Sequence, residues 1–437
     1  MKFRALFSVL VWPAAAALAL ASCNTERTPV APDDTKMGDR QSDVIAADVE
    51  SVTGAVYTMS NDLAGNRIVV YRRALDGSLT LVGDVDAGGR GSGAFEDSDN
   101  ALILGDADGE SAPNNLTEAR KLLFAVNAGT NTVVSFRVTG DGTTLVQASL
   151  QASGGRRPVS LTVNHGLLYV LNSGERILGL SAANCTTGDL PSVSGFRVAA
   201  TGELTPIAGS KRQLSGQSRS GCAQASFTAD GKFLIVTERL AKLASQSGMD
   251  EGTIDVFPVN ADGTLGTPRI IDATGRGPFG FTPTRSGSLL VTEQFGGAGN
   301  PGGGAAAGYT VNADGTLTPG SSSIFNGGTD TCWIIVSDDG AYAYAVSFFG
   351  TGRISTYAVG AGGALTLLDA TDDDGNAGTG ASDVSLSANS KFLYQLNSVS
   401  GKVNSYQIGS TGRLTFLSAV QAHAASPAAA RIGLAAF

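Results

Sequence analysis

Seven times along the 437 residues an aromatic residue stands six positions before a glycine, and a leucine follows that glycine two or three residues later. The copies are Tyr71…Gly77…Leu79, Phe136…Gly142…Leu145, Phe196…Gly202…Leu204, Phe257…Gly263…Leu265, Tyr309…Gly315…Leu317, Tyr357…Gly363…Leu365 and Tyr406…Gly412…Leu414. The glycines are spaced by 65, 60, 61, 52, 48 and 49 residues. A repeat of this length is one supersecondary unit that buries its apolar face only against its neighbours, which restricts the chain to a solenoid or a ring.

The copy at Gly221 to Ala273 gives the unit. Ala223–Phe227 alternates in polarity, Ala229-Asp230-Gly231 turns, and Phe233–Val236 is an apolar run. Gly252–Phe257 is the next, Asn260–Gly263 turns, and Leu265–Ile271 completes the repeat. Asp-Gly between apolar runs of strand length is a hairpin signal. Each repeat therefore reads as a four-stranded antiparallel meander. The expected fold class is all-β, a seven-bladed β-propeller, in which radial packing leaves only short edges. The first full strand, Ala55–Met59, matches the second strand of a repeat, and Ile432–Phe437 matches a first strand. Residues 430–437 are thus expected to close the ring as the innermost strand of blade 1, because an open edge is a liability.

The ends and the charge limit the setting. Met1-Lys2-Phe3-Arg4 precedes an apolar run, Ala5 to Ala21, which has the form of a signal sequence and is set aside from the fold. Leu20-Ala21-Ser22-Cys23 resembles a bacterial lipobox, which implies lipidation of Cys23; an ordinary secretory signal or a short anchor is the alternative. The division read from sequence is a signal peptide over 1–22, a flexible polar tether over 23–49 and the propeller over 50–437. The expected location is the bacterial cell envelope, with the membrane as partner through the lipid and the chain a monomer. A net charge of −9 argues against nucleic acid as a partner. No zinc-type His/Cys spacing, phosphate-binding loop or Ser-His-Asp motif is found, and no cofactor is expected.

Asp76-Gly77-Ser78-Leu79-Thr80, Phe124–Asn127, Tyr169–Asn172 and Ser385–Tyr394 resemble the lactonase-type seven-bladed propeller family, which includes 6-phosphogluconolactonase-like and carboxymuconate-cyclase-like proteins. The likeness spans about residues 50–437. It implies the propeller and, as an activity, lactone chemistry. Carboxymuconate-cyclase-like relatives are thought to use His, Glu and Arg, whereas here no His stands beside a matching Glu.

Because strand direction alternates, the second-to-third and fourth-to-first connections share one face, called the top. Second strands end there at Asn61, Asn127, Asn172, Glu238, Glu293, Ser347 and Asn397. Glu238 and Glu293, in adjacent blades, are the candidate catalytic carboxylates. Arginines beside glycine enter the innermost strands at Arg90, Arg156, Arg157, Arg219 and Arg276. Guanidinium groups with exposed glycine backbone suit a carboxylate or phosphate, so these arginines and Asn172 are the candidate ligand-binding set. Capping of loops by the Asn and Glu side chains, and solvated pairing of the arginines, are the bland alternatives. The second-to-third connections are longest in blades 3, 4 and 5, at 24, 19 and 16 residues against 9 or 10 elsewhere. Long loops clustered on one face of a rigid scaffold carry function.

Cys185 and Cys222 lie on the top of neighbouring blades and are expected to form a disulfide in an oxidising compartment. Cys332 is left as a buried thiol, with pairing to His423 a remote alternative. Asp97-Ser98-Asp99 and Asp372–Asp374 read as solvated turns rather than calcium loops. Two functions follow: an envelope-anchored propeller that binds a small anionic ligand or an envelope protein, or a lactone hydrolase in which a Glu activates water and arginines hold the anion. The first is preferred, because histidine is missing.

Overall fold

The computed structural model describes residues 53–107, 122–174, 190–217, 220–241, 251–371, 379–425 and 431–437. These form seven antiparallel sheets, one per repeat. The innermost strands, from blade 1 to blade 7, are Ile432–Ala436, Leu102–Gly105, Pro158–Asn164, Cys222–Phe227, Pro278–Pro283, Thr329–Val336 and Ala381–Leu386. They pack against one another and wall a central channel. Blade 3 is the exception to four strands: Arg212–Gln213 pairs with Ser192–Val198 beside Leu204–Pro206.

The repeat motif is the contact between blades. All seven motif glycines have φ between 77° and 88°, a conformation that disfavours any side chain. Each turn also lies against the preceding blade, so a Cβ on Gly77 would fall 2.4 Å from the Phe392 ring of blade 7. The Gly77 carbonyl accepts a hydrogen bond from the Tyr394 hydroxyl at 3.0 Å, and the Gly263 carbonyl accepts one from Tyr169 at 2.7 Å. The motif aromatics are all buried. Tyr71 and Tyr357 donate to backbone carbonyls at the end of the previous blade's outermost strand, Gln421 and Ile324.

The ring closes as expected. Ile432–Ala436 pairs antiparallel with Gly54–Met59. Arg73, almost wholly buried, donates its Nε–H to the Phe437 carbonyl at 3.0 Å. One boundary differs from the sequence reading: the outermost strand of blade 4 is Arg269–Asp272 rather than beginning at Leu265. Leu265 makes only an isolated bridge to Val259, and Pro268, without an N–H, lies between the bridge and the strand.

Candidate functional site

The polar residues that end the second strands hold the top connections in place. Asn127 Nδ2 donates to the Ala87 carbonyl at 2.9 Å, and Asn172 Nδ2 donates to the Ser153 carbonyl at 3.3 Å and to Ser194 Oγ at 3.0 Å. Glu238 and Glu293 do the same with opposite polarity. Glu238 Oε1 accepts the Ser215 N–H at 2.9 Å and Glu293 Oε1 accepts the Gly275 N–H at 2.7 Å. Neither carboxyl has exposed surface, and each leaves Oε2 without a hydrogen-bond partner among the described residues. The glycines before Arg156 and Arg276 follow from this packing. A Cβ on Gly155 would lie 2.6 Å from Asn172, and one on Gly275 would lie 2.3 Å from Glu293 Oε2.

The two Glu side chains differ in what faces that second oxygen. Burial pushes the Glu293 carboxyl up to about 7, with the Gly275 N–H and the Ser323 hydroxyl pulling the other way. Glu238 has the carboxyl of Asp255 as its neighbour, which is itself fully buried and has its own Oδ2 unpartnered. Burial and the neighbouring Glu238 raise Asp255 well above the usual carboxylate range. Asp255 was missed in the sequence, although it interrupts the apolar strand Thr253–Pro258 at a position where blades 3 and 5 have Ser194 and Ala307.

The channel mouth departs most from the sequence reading. Phe95–Asn100, in the long connection from blade 1 to blade 2, is drawn across the channel. Asp99 N–H donates to the Ala223 carbonyl at 3.1 Å, Leu161 N–H donates to the Asn100 carbonyl at 2.9 Å, and Trp333 Nε1–H donates to the Ser98 carbonyl at 3.2 Å. Phe95 packs on Phe348, with ring centroids 5.3 Å apart. The segment thereby touches the innermost strands of blades 3, 4 and 6. Its carboxylates are buried: Glu96 is held by Arg157 through two bonds of 2.8 and 2.6 Å, and Asp97 by Arg239 at 2.6 Å. Burial pushes Asp97 up to about 7 against the pull of Arg239. Asp99 is raised by burial and by Asp383 of blade 7. The expectation that Asp97 and Asp99 form a solvated turn is therefore corrected. Fifteen residues separate the outermost strand of blade 1, Leu79–Asp86, from Leu102. That length signals the strap, because the blade 2 to blade 3 connection needs only five residues, between Ala152 and Pro158.

The candidate arginines are dispersed by this arrangement. Arg157, in a left-handed backbone conformation with φ 54°, is occupied by Glu96. Arg90 and Arg156 are exposed on the top connections, Arg276 is half-buried, and Arg219 lies outside the described residues. Arg239, next to Glu238, was not singled out in the sequence; it binds Asp97 and donates to Gln294 Oε1 at 3.0 Å. Gln294 in turn donates to Cys332 Sγ at 3.1 Å. Cys332 is a free thiol with no exposed surface, raised well above its ordinary range by burial and by Asp330 and Asp97. His423 is instead beside Thr58 Oγ1 at 3.3 Å, and burial lowers it to about 4. The two therefore have separate partners. Cys222 is disulfide-bonded. Cys185, Cys23 and Asp372–Asp374 lie outside the described residues. Among the described residues no group of three or more His, Cys, Asp or Glu side chains could hold a metal ion.

One surface feature at the top of blade 5 went unseen in the sequence. Glu293, Ala305 and Phe325 are directly paired across three strands. Phe325 ends the outermost strand and is 54% exposed, and its ring lies 4.9 Å from that of Phe295, tilted by 51°. Phe295 follows Glu293 by two residues and has φ 48°, an unusual conformation for an aromatic residue. Its N–H donates to the Arg276 carbonyl at 3.1 Å, and its own carbonyl accepts Asn300 Nδ2 at 2.9 Å.

The chain resembles known proteins mainly in fold. No curated protein matches it. A Bacteroides uniformis structure described as a candidate 6-phosphogluconolactonase superposes with a TM-score of 0.64 at 15% identity, covering 88% of this chain and 99% of that one. A Lactobacillus plantarum protein gives 0.60 at 17% identity, covering 88% and 99%. The periplasmic gluconolactonase of Pseudomonas aeruginosa gives 0.59 at 18% identity, covering 86% and 98%. The family model "Lactonase, 7-bladed beta-propeller" matches residues 114–297 and 295–431, more than half of the sequence. The chain belongs to the lactonase family of seven-bladed β-propellers.

Proposed function

We propose that this propeller is an exported lactone hydrolase whose reacting carboxylate is Glu293, acting at the top of blades 4 and 5. The observation that carries the reading is the state of that carboxyl. It is fixed through Oε1 by the Gly275 N–H, leaves Oε2 unpartnered, and is raised to about 7 by burial. A carboxyl near neutrality is matched to taking a proton from water at neutral pH. Arg276, on the connection that Glu293 holds, is the candidate for the anionic group of the substrate. Glu238 is a weaker candidate because a second buried carboxyl, Asp255, lies beside it. Family membership supports lactone chemistry, and the named neighbours suggest a sugar-acid lactone. Lipid on Cys23 would hold the enzyme at the envelope, and the periplasmic location of the Pseudomonas relative agrees with export.

The test is hydrolysis by residues 50–437 of a panel of sugar-acid lactones, including 6-phosphogluconolactone, measured above spontaneous ring opening. Glu293→Gln should remove the acceleration. A panel in which no lactone opens faster than in buffer overturns the reading. One observation favours the second reading, an anchored binding propeller without catalysis: the strap places the chain's own carboxylates on Arg157 and Arg239, where an anionic ligand would otherwise sit.

A further inference from the structure

Phe325 is out of place among its equivalents. The residues that end the outermost strand in the same cross-strand register are Ala152, Gln213, Asp272 and Gln421 in blades 2, 3, 4 and 7. Among these described positions only that of blade 5 carries an aromatic ring, and it does so at an exposed position. The ring is not an isolated surface residue, because Phe295 is held against it. Phe295 adopts a left-handed conformation that disfavours a side-chain-bearing residue, and backbone strain of this kind persists where surroundings over-determine it. Those surroundings are the bonds to the Arg276 carbonyl and from Asn300.

Access to the pair is open. Gly296, Ala298 and Gly299, which follow Phe295, are exposed and carry no side chain larger than a methyl. Two rings present at most about 150–250 Å² each, well short of the roughly 800 Å² per partner that a stable protein interface needs. The patch fits a single small ring. A hexose-type ring matches its character: the C–H face is apolar and stacks on an aromatic face, while the hydroxyl rim and any carboxylate remain free to meet the polar top face. We propose that Phe295 and Phe325 form a stacking subsite for one sugar-type ring at the outer top corner of blade 5. The subsite adjoins Glu293, so it deepens the proposed hydrolase reading and rests on that reading for the identity of the ring as a sugar acid.

Binding is tested without turnover. Saturation-transfer NMR on residues 50–437 would use D-glucuronate, a cyclic sugar acid, and D-glucose at millimolar concentration, with Phe325→Ala, Phe325→Tyr and Phe295→Ala as variants. Phe325 is more than half exposed, so its variants should melt as the parent does. Ring C–H signals should receive saturation from the parent and from Phe325→Tyr. Phe325→Ala should weaken binding about fivefold, the scale of one aromatic contact. Equal binding by parent and Phe325→Ala, or saturation transfer to neither sugar, overturns the subsite. The two proposals fail separately. Lactone hydrolysis unaffected by Phe325→Ala keeps the hydrolase and removes the subsite, whereas Phe325-dependent glucuronate binding without hydrolysis keeps the subsite and removes the enzyme.

Discussion

Replacing Glu96 tests whether the strap locks the ring. Glu96 has no exposed carboxylate surface and makes two charge-assisted bonds to Arg157, whose side chain is 15% exposed. Removing one partner of a buried pair leaves the other charge unpaired in a dry site, at about 3–5 kcal/mol. Partial access of water to Arg157 puts Glu96→Ala at the lower end, about 3 kcal/mol. The folded ring has about 385 residues, and an unfolding entropy of about 2.1 cal/mol/K per residue gives about 0.8 kcal/mol/K. The expected fall in Tm is therefore about 4 °C, read by scanning calorimetry at pH 7 on residues 50–437. Asp84→Ala supplies the contrast. Its partner is Arg67, both side chains are nearly half exposed, and pairs of this kind contribute about 0–1 kcal/mol. Its Tm should move by about 1 °C or less. The double variant Glu96→Gln/Arg157→Met should recover part of the loss, because an apolar replacement of both partners removes the stranded charge. If Glu96→Ala melts within 1 °C of the parent, Phe95–Asn100 is a passive loop and the locking role is wrong.

Three further outcomes follow. Asp383 and Glu293 are raised to about 7, and Asp99, Asp255 and Asp330 are also raised, all chiefly by burial. Between about pH 4 and 7 the folded state thus binds more protons than the unfolded chain, so stability should fall as pH rises through that window. His423, lowered to about 4, works in the opposite direction between about pH 4 and 6.5 but is a single group. A Tm higher at pH 5 than at pH 8 is expected, with a shallower dependence in Asp255→Asn; a Tm that climbs steadily to pH 8 contradicts it. Deleting residues 430–437 should strip the inner strand from blade 1 and the Phe437 carbonyl from Arg73, with a large drop in Tm; an unchanged melt refutes closure by the C-terminal strand. Non-reducing peptide mapping should find Cys222 bonded to Cys185, with Cys332 unreactive to iodoacetamide until the protein unfolds; rapid native labelling of Cys332 would show that it is not buried.

The ring is legible in the order of residues alone. Aromatic-to-glycine spacing repeats because one turn geometry recurs at every blade contact, so local backbone demands at Gly77 or Gly263 and burial of Tyr71 or Phe257 are written in the chain at fixed intervals. Closure by Ile432–Ala436 was legible for the same reason, since a strand pattern lacking at one end and surplus at the other can be paired without coordinates. Glu238 and Glu293 were also legible as strand ends on the top face. What those groups do there was set by the folded ring. Whether a carboxylate faces water, a backbone N–H or another carboxyl depends on neighbours hundreds of residues away in some cases, as Ser98 and Trp333 show with 235 residues between them. Asp97 and Asp99 read as solvent-facing because acidic residues near glycine usually are, yet the strap carries them into the channel and onto Arg239 and toward Asp383. Periodic local geometry survives in one dimension, whereas charge pairing and desolvation are set by distances that exist only once the ring has closed.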